Sequence, residues 1–292
     1  MTTTTETRTL DVPGATLAYD VHGPLPTADG RPPVLVVGQP MEGPYFHKLA
    51  SLLTGRTAVT YDPRGLGRST RHDGGTTNDP VVQAEDLHAL VGALGAGPVD
   101  LFGSSGGAIT GLALVTAHPE DVRTLVAHEP PLLTVLPDAE AAAAAGRRVD
   151  EAYQRHGWGT GMATFIALAS WKGEITDDVV REPVDPAQFG FPSDDDGRRD
   201  DALLSGVSAP VTAYRPDVDA LAAAPTRIVL AVGEESRDLL TWRAPEALAA
   251  RLGLELTVFP GDHGGFLDPA NGYGGVPEAF AARLLEVLAD GA

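Results

Sequence analysis

The sequence predicts an α/β fold in which a mostly parallel sheet carries helices on both faces and an inserted helical lid. Short, continuous apolar runs, typical of strands buried on both faces, alternate with segments of helical periodicity. That alternation is the pattern of parallel βαβ units. It stops between residues 132 and 224, where helical stretches occur and no strong apolar strand is found. The 292 residues suit one such domain with an insertion.

Most of the alternation lies in the first half of the chain. The Pro13–Gly14 turn between two short apolar runs predicts a hairpin, and the preceding MTTTTETRTL segment is expected to be a frayed tail. Strands are predicted at Leu10–Val12, Thr16–His22, Pro33–Val37, Thr57–Asp62, Val99–Phe102 and Val122–Ala127, and helices at Phe46–Leu53, Pro80–Leu94 and Ala108–Ala117.

The alternation resumes near the end of the chain. Strands are predicted at Thr226–Val232 and Glu255–Phe259, and helices at Pro245–Leu252 and Pro277–Leu288. We therefore expect residues 1–131 and 225–292 to form the core domain, and residues 132–224 to form a helical cap. The cap helices are predicted at Arg147–Arg155 and Thr160–Trp171. Ligands of open α/β sheets bind at the carboxyl ends of the strands, so an insertion at that edge is expected to act as a lid.

Charge and composition restrict the class of partner. The net charge of −19 disfavours nucleic-acid binding, which needs a basic face. No apolar run approaches the ~20 residues of a membrane helix, and the first residues lack the apolar stretch of a secretory signal. Cysteine is absent, which excludes disulfides and thiolate nucleophiles. We expect a cytoplasmic protein whose partner is a small molecule, and apolar lid surface suggests a homodimer.

A serine flanked by glycines follows one of the predicted strands. Gly103–Ser104–Ser105–Gly106–Gly107 comes directly after Val99–Phe102 and leads into a helix. In such a sharp turn the central residue is strained, so the residues two positions away must lack bulk. The helix N-terminus also directs free N–H groups at the turn. The G-x-S-x-G spacing in this setting makes Ser105 the candidate nucleophile.

A serine nucleophile needs a base within hydrogen-bond reach. Among the eight histidines, His88 and His118 lie in surface-helix contexts and His156 lies in the insertion. His263 differs because it follows the last predicted strand, in a loop that reaches the same edge of the sheet as Ser105. We therefore predict that His263 is the base.

Four motifs together resemble those of a known family. They are the serine turn Gly103–Gly107, the histidine loop Asp262–Gly264, the D-x-R-G-x-G-x-S segment Asp62–Ser69, and the loop Gly38–Pro40 after the third strand. With them the chain resembles the α/β-hydrolase superfamily over nearly its whole length. The resemblance implies an α/β-hydrolase sheet, with Gly103–Gly107 as the nucleophile elbow.

The resemblance also implies an oxyanion hole. In the family, one N–H comes from the residue after the glycine of the third-strand loop, here Gln39. The second comes from the residue after the nucleophile, here Gly106. Val37 stands where a histidine is common in the family. Two such donors would stabilise a developing oxyanion by several kcal/mol.

The acid that orients the histidine has two candidate positions. The family usually places it in a G-x-x-D pattern after the strand that follows the lid. Here that position carries Ser236, which is not an acid. The neighbouring carboxylates of Glu234, Glu235 and Asp238 remain candidates if the loop follows a different path.

The other position is the end of the strand Val122–Ala127. Some branches of the superfamily, including many haloalkane dehalogenases, carry the acid there. In this chain Glu129 follows that strand, 24 residues after Ser105, and two prolines come next. That distance fits one helix, one turn and one strand. We take Glu129 as the leading candidate.

These residues imply a serine hydrolase that works through an acyl enzyme and needs no metal or cofactor. A small apolar or aromatic ester or lactone is the leading substrate class. The same triad can serve carbon–carbon hydrolysis, aminopeptidase-like cleavage or cofactor-free haloperoxidase (perhydrolase) chemistry, and a non-catalytic small-molecule-binding protein on this scaffold also remains open. The candidate substrate-binding residues are aromatic or large and apolar: Trp158, Met162, Phe165, Trp171, Phe189, Phe191 and Trp242.

Overall fold

One sheet organises the molecule. The computed structural model describes residues 5–272 and 274–289. Its strands are Thr5–Val12 (β1), Ala15–His22 (β2), Val34–Val37 (β3), Ala58–Tyr61 (β4), Thr70–Arg71 (β5), Val99–Ser104 (β6), Val122–His128 (β7), Arg227–Gly233 (β8) and Leu256–Phe259 (β9). The strand order is β1-β2-β4-β3-β6-β7-β8-β9, with β5 paired to β2. The pairs of β2 are antiparallel, and those from β4 through β9 are parallel.

Helices cover both faces of this sheet. They are His47–Leu52 (α1), Pro80–Leu94 (α2), Gly106–Ala117 (α3), Ala139–His156 (α4), Trp158–Ala169 (α5), Ala209–Thr212 (α6), Val218–Ala223 (α7), Leu240–Leu252 (α8) and Pro277–Ala289 (α9). Side chains of α1 and α9 pack with Val34 and Val36 of β3 in one core cluster. Those of α2, α3 and α8 pack with Leu35 and Val37 in another. Successive strand residues point to opposite faces, so a continuous apolar strand serves both layers.

The predicted fold class, a mostly parallel α/β sheet with helices on both faces, is confirmed. One prediction was wrong at the start of the chain, where Thr5–Leu10 belongs to β1 instead of a frayed tail; residues 1–4 lie outside the described part. The threonines of this segment are β-branched, and each residue from Thr5 to Val12 has a partner in β2. Pairing along a whole strand edge thus orders a segment with little apolar character.

A second difference concerns α8. This helix begins at Leu240, and Pro245 lies inside it instead of at its start. The N–H groups of Trp242 and Arg243 both donate to the Leu239 carbonyl, so the first turn is closed before the proline. Pro245 therefore costs the helix one hydrogen bond near its beginning, where such a loss is tolerated best.

The chain between β7 and β8 contains helices α4 to α7 and, among the described residues, no strand. Its end is held against the core. Asn78 before α2 donates its N–H to the Val207 carbonyl, and its side chain donates to the Ser208 hydroxyl. These bonds place α6 against α3, the helix that follows Ser105. None of the helices in residues 5–272 and 274–289 has the length and apolarity that crossing a membrane requires.

Candidate active site

Ser105 occupies a strained turn between β6 and α3. Its φ of 56° lies in the left-handed region, which is uncommon for a residue with a side chain. A Cβ on Gly103 would lie 2.7 Å from the Gly107 carbonyl oxygen, and one on Gly107 would collide with the Val37 carbonyl. The two glycines therefore allow the chain to fold back tightly enough to present Ser105 at the end of the sheet.

Gly106 and Gln39 lie against each other beside this turn. A Cβ on Gly106 would lie 2.8 Å from the Gln39 carbonyl oxygen and 2.9 Å from its Cβ. Gly106 is the first residue of α3, so its N–H has no acceptor within the helix. Gln39 and Gly106, the two residues predicted to form the oxyanion hole, are thus neighbours, and Gly106 directly follows Ser105.

His263 forms a close pair with a buried carboxylate. Its Nδ1 lies 2.6 Å from Glu129 Oε2. Because a carboxylate only accepts hydrogen bonds, Nδ1 carries the hydrogen and Nε2 is left as the acceptor. The Glu129 side chain is fully buried, whereas 38% of the His263 side chain is exposed. The imidazole therefore has one edge fixed by the protein and the other accessible to a ligand.

The backbone and a second hydrogen bond hold Glu129 in place. Its φ of 50° is left-handed, and its N–H donates to the Ala231 carbonyl of the neighbouring strand β8. The Gly233 N–H donates to Glu129 Oε1 over 2.8 Å. Burial by itself raises the pKa of the Glu129 carboxyl, but the hydrogen bond from His263 and the two nearby imidazoles outweigh burial and lower that pKa to about 2. The group is ionised at neutral pH.

The later loop does not supply this carboxylate. Glu234, Glu235 and Asp238 are exposed, and none of them forms a hydrogen bond with His263 in the described part of the chain. Ser236, at the position that usually carries the acid in the family, is fully buried. Of the four carboxylates considered from the sequence, Glu129 is the one that lies against His263.

Three strand ends bring these residues together. The N–H of Ser105 donates to the carbonyl of His128, which precedes Glu129. Ser104 and His128 are paired in the register of β6 and β7. His263 reaches Glu129 from the loop after β9, across the end of β8. The candidate nucleophile, base and acid thus lie after strands that end at one edge of the sheet, the carboxyl edge, where α/β proteins bind their ligands.

Comparisons with known proteins identify the family. Residues 32–155 match the family model of the alpha/beta hydrolase fold. Over 285 residues the chain is 31% identical to the uncharacterized hydrolase YraK of Bacillus subtilis (strain 168), with 96% of this chain and 95% of that protein covered. The chain belongs to the α/β-hydrolase superfamily. The family and the relative's name support hydrolase activity.

Solved structures of this superfamily share the fold over almost the full chain. A thermophilic esterase from Thermogutta terrifontis is 20% identical, with a TM-score of 0.63, over 98% of this chain and 97% of that one. A thioesterase domain from the curacin biosynthetic pathway is 16% identical, with a TM-score of 0.62, over 98% and 99% of the two chains. At these identities the likeness shows the fold alone.

The predicted aromatic residues of this α/β hydrolase do not form one group. The Trp158 ring lies 5.3 Å from Phe191, which stacks on Phe189 at 5.9 Å. Phe189 and Trp171 are exposed, and Trp171 Nε1 donates to the Glu174 carbonyl. Met162 and Phe165, on the same helix as Trp158, are partly buried against the core. Trp242 is buried in α8 beneath the Arg237 guanidinium.

Three residues near the site have no role in the sequence-based prediction. A Cβ on Gly106 would touch Val211 of α6, so the insertion lies directly beside the turn of Ser105. Gly233 donates to Glu129 and has no room for a side chain, since a Cβ there would lie 2.5 Å from the Gly261 carbonyl oxygen. The third is His128. Of these three, only Gly233 could have been found from the sequence, because it is the first residue of the segment at the G-x-x-D position.

His128 is a fully buried imidazole next to the candidate base. Its ring lies 6.2 Å from that of His263 and is surrounded by four phenylalanines, and neither nitrogen has a hydrogen-bond partner among the described residues. Burial lowers the pKa of His128 to about 4. It is therefore neutral at physiological pH and packs as an aromatic ring below the site.

Side chains of the D-x-R-G-x-G-x-S segment, Asp62–Ser69, hold the loop after β4 in place. The Asp62 carboxylate accepts hydrogen bonds from the Gly43 N–H and from Arg68. Arg64 is buried and donates two hydrogen bonds to Asp86. These contacts fix the loop after β4 and do not include Ser105, Glu129 or His263.

Proposed function

We propose that this chain is a serine hydrolase that cleaves a small apolar or aromatic ester or lactone through an acyl enzyme. One observation carries the proposal: a fully buried, ionised Glu129 lies 2.6 Å from Nδ1 of a half-exposed His263, beside the strained turn of Ser105. An imidazole held in this tautomer by a carboxylate is what a serine nucleophile needs as its base.

Each residue has a stated task in the proposed cycle. Ser105 attacks the substrate carbonyl while His263 Nε2 takes its proton, and Glu129 stabilises the imidazolium that results. The backbone N–H groups of Gln39 and Gly106 bind the oxyanion. His263 then protonates the leaving alcohol. A water molecule gives a proton to His263 as it attacks the acyl enzyme. His263 then returns that proton to the Ser105 oxygen as the carboxylic acid leaves.

The substrate class rests on the apolar and aromatic side chains between β7 and β8. Val211 lies against Gly106 at the start of α3, and Trp158, Phe189 and Phe191 stack on one another in the same segment. Apolar and aromatic linings favour apolar acyl groups. We propose that residues 132–224 form the cap over this site.

The deciding experiment is the intact mass of the protein after incubation with a fluorophosphonate probe, which reacts only with an activated serine. We expect one adduct on the wild type and none on Ser105→Ala. Ser104→Ala is the matched control, because that adjacent hydroxyl is fully buried. The control must keep the adduct. A wild type without an adduct would contradict the proposal and favour a non-catalytic binding protein.

A substrate panel then separates the bond types. We expect p-nitrophenyl acetate and butyrate and small lactones to be hydrolysed, and Ser105→Ala to abolish that hydrolysis. Faster cleavage of amino-acid p-nitroanilides or of a vinylogous 1,5-diketone than of every ester would contradict the proposed ester specificity. Those outcomes would assign the same residues to peptide or carbon–carbon bonds.

A further inference from the structure

A second cluster of histidines and carboxylates lies at the far end of α3 from Ser105. Glu85 and His88 are one turn apart on α2, and His118 and Asp121 are three residues apart where α3 turns into β7. The His88 and His118 rings stack with centroids 3.8 Å apart and planes inclined by 12°. His88 Nδ1 lies 2.6 Å from Asp121 Oδ2, and His118 Nε2 lies 3.0 Å from Glu85 Oε1.

The possible ligand atoms of this cluster converge. One ligand atom each from His88, His118 and Asp121 lie within 4.8 Å of one another. Ligands at tetrahedral zinc are about 2.0–2.1 Å from the metal, which places them about 3.3 Å apart. All three side chains are partly exposed, so the two rings can rotate out of their stack until a nitrogen of each faces one ion. Glu85 does not belong to this group of ligand atoms; its carboxylate lies against His118 Nε2.

The electrostatic surroundings favour a cation. Asp121 lies against one of the two rings and Glu85 against the other, and Glu120 is next to Asp121 in the chain. A divalent cation would neutralise these carboxylates while binding the imidazole nitrogens.

A second histidine cluster gives the contrast. Asp20, His22 and His47 also converge. There, however, the Arg68 guanidinium already donates to both Asp20 oxygens, and the two ring nitrogens of His22 lie against threonine hydroxyls. A metal ion would have to displace a paired arginine. The cluster on α2 and α3 differs in this respect. Among the described residues, no arginine or lysine pairs with its carboxylates.

We propose that His88, His118 and Asp121 bind one divalent transition-metal ion, with zinc as the best fit. Two imidazoles and one carboxylate suit zinc, which accepts nitrogen and oxygen ligands in a tetrahedron and takes water as a fourth ligand. Twelve residues of α3 separate the cluster from Ser105, or about 18 Å of helix, so the ion takes no part in hydrolysis. It ties α2 to the turn between α3 and β7 and stabilises the fold.

The test is calorimetric titration of the chelator-treated full-length protein with zinc chloride, together with its melting temperature with and without zinc. We expect one zinc per chain and a rise in Tm. His88→Gln and Asp121→Asn should each weaken binding by at least about tenfold, the loss expected on removing a ligand or its orienting partner. Their Tm without zinc should stay close to that of the wild type, which shows that they fold.

Three control variants test where zinc binds. His156→Gln removes an exposed histidine outside the cluster and should bind zinc like the wild type. His47→Gln tests the cluster with Arg68, and His263→Gln tests the active site; both should also bind normally. Absence of zinc binding by the wild type, equal binding by His88→Gln, or loss of binding in His47→Gln or His263→Gln would overturn the proposal.

Discussion

Two carboxylate–imidazole pairs of this protein have the same N···O separation of 2.6 Å and very different surroundings. In Glu129–His263 the carboxylate is fully buried and has a second donor in the Gly233 N–H. In Asp121–His88 both partners keep contact with water. The distance is therefore a poor guide to function. Burial of the carboxylate and a neighbouring strained serine distinguish the pair to which we assign a catalytic role.

The largest expected difference between the pairs is in turnover. Glu129→Gln places an amide against His263 Nδ1, which favours the wrong tautomer of the ring, so kcat should fall by about 10⁴-fold. Asp121→Asn, the matched change in the other pair, should leave kcat at the wild-type level. Steady-state hydrolysis of p-nitrophenyl butyrate measures both. Near wild-type activity of Glu129→Gln combined with an inactive Asp238→Asn would move the acid to the later loop.

The second contrast is in acid stability. Burial lowers the pKa of His128 from 6.5 to about 4. Between these two pH values, His128 is therefore protonated in the unfolded chain and neutral in the folded protein. The stabilisation is complete above pH 6.5, is lost as the pH falls towards 4, and amounts to about 3 kcal/mol. In His128→Phe the free energy of unfolding from urea titrations should depend less on pH in this window.

The control for that experiment is His88→Gln. The pKa of His88 is raised by Asp121, so its contribution has the opposite sign: it is present at low pH and lost as the pH rises. His88→Gln should therefore not flatten the fall in stability between pH 6.5 and 4. If His128→Phe shows the same pH dependence as the wild type, His128 does not stay neutral in the folded protein.

A third, smaller effect tests the backbone packing around the Glu129–His263 pair. A Cβ on Gly233 would lie 2.5 Å from the Gly261 carbonyl oxygen, so Gly233→Ala must displace the loop that carries His263. A displacement of about 1 Å at a catalytic group lowers kcat by about 10²-fold. Gly92→Ala, in α2 where an added Cβ meets nothing, is the control on stability. Unchanged kcat in Gly233→Ala would show that the loop adjusts without moving the imidazole.

The smallest expected effect is on the free energy of unfolding when the Asp121–His88 pair is broken in the absence of metal. With chelator present, Asp121→Asn should change the free energy of unfolding by less than about 1 kcal/mol, because partly exposed ion pairs contribute little and are screened by salt. Urea titrations at low and high salt measure this. A loss well above that value at both salt concentrations would mean that Asp121 contributes to stability as a buried, unscreened carboxylate does.

Local patterns are enough to predict most of this fold and the residues of the candidate site. The G-x-S-x-G turn depends on contacts among neighbours in sequence, so the requirement for Gly103 and Gly107 follows from the sequence alone. Pro80–Leu94 is predicted with its observed bounds, because a proline begins the helix and a glycine ends it. Glu129 is proposed as the acid because the chain resembles branches of the superfamily that carry it at this strand end, and because its distance from Ser105 fits one helix, one turn and one strand.

Other features depend on contacts between distant parts of the chain. The ordering of Thr5–Leu10 comes from pairing with β2, and nothing in its own composition indicates it. Val211 reaches Gly106 across more than a hundred residues, through an insertion with little periodic signal. The choice between Glu129 and the later carboxylates stays open in the sequence for the same reason: the path of the 234–238 loop is decided by packing.

The position of Glu129 has a consequence for how this protein can change. The 234–238 loop contacts the insertion, since the Gly173 N–H donates to the Asp238 carbonyl and Lys172 bridges to Leu239. If the acid were in that loop, each remodelling of the insertion would disturb it. With the carboxylate of Glu129 directly after β7 and buried, as in the mechanism we propose, the insertion and its contacting loop can diverge in sequence, or be redesigned for new substrates, while Glu129 and His263 keep their places.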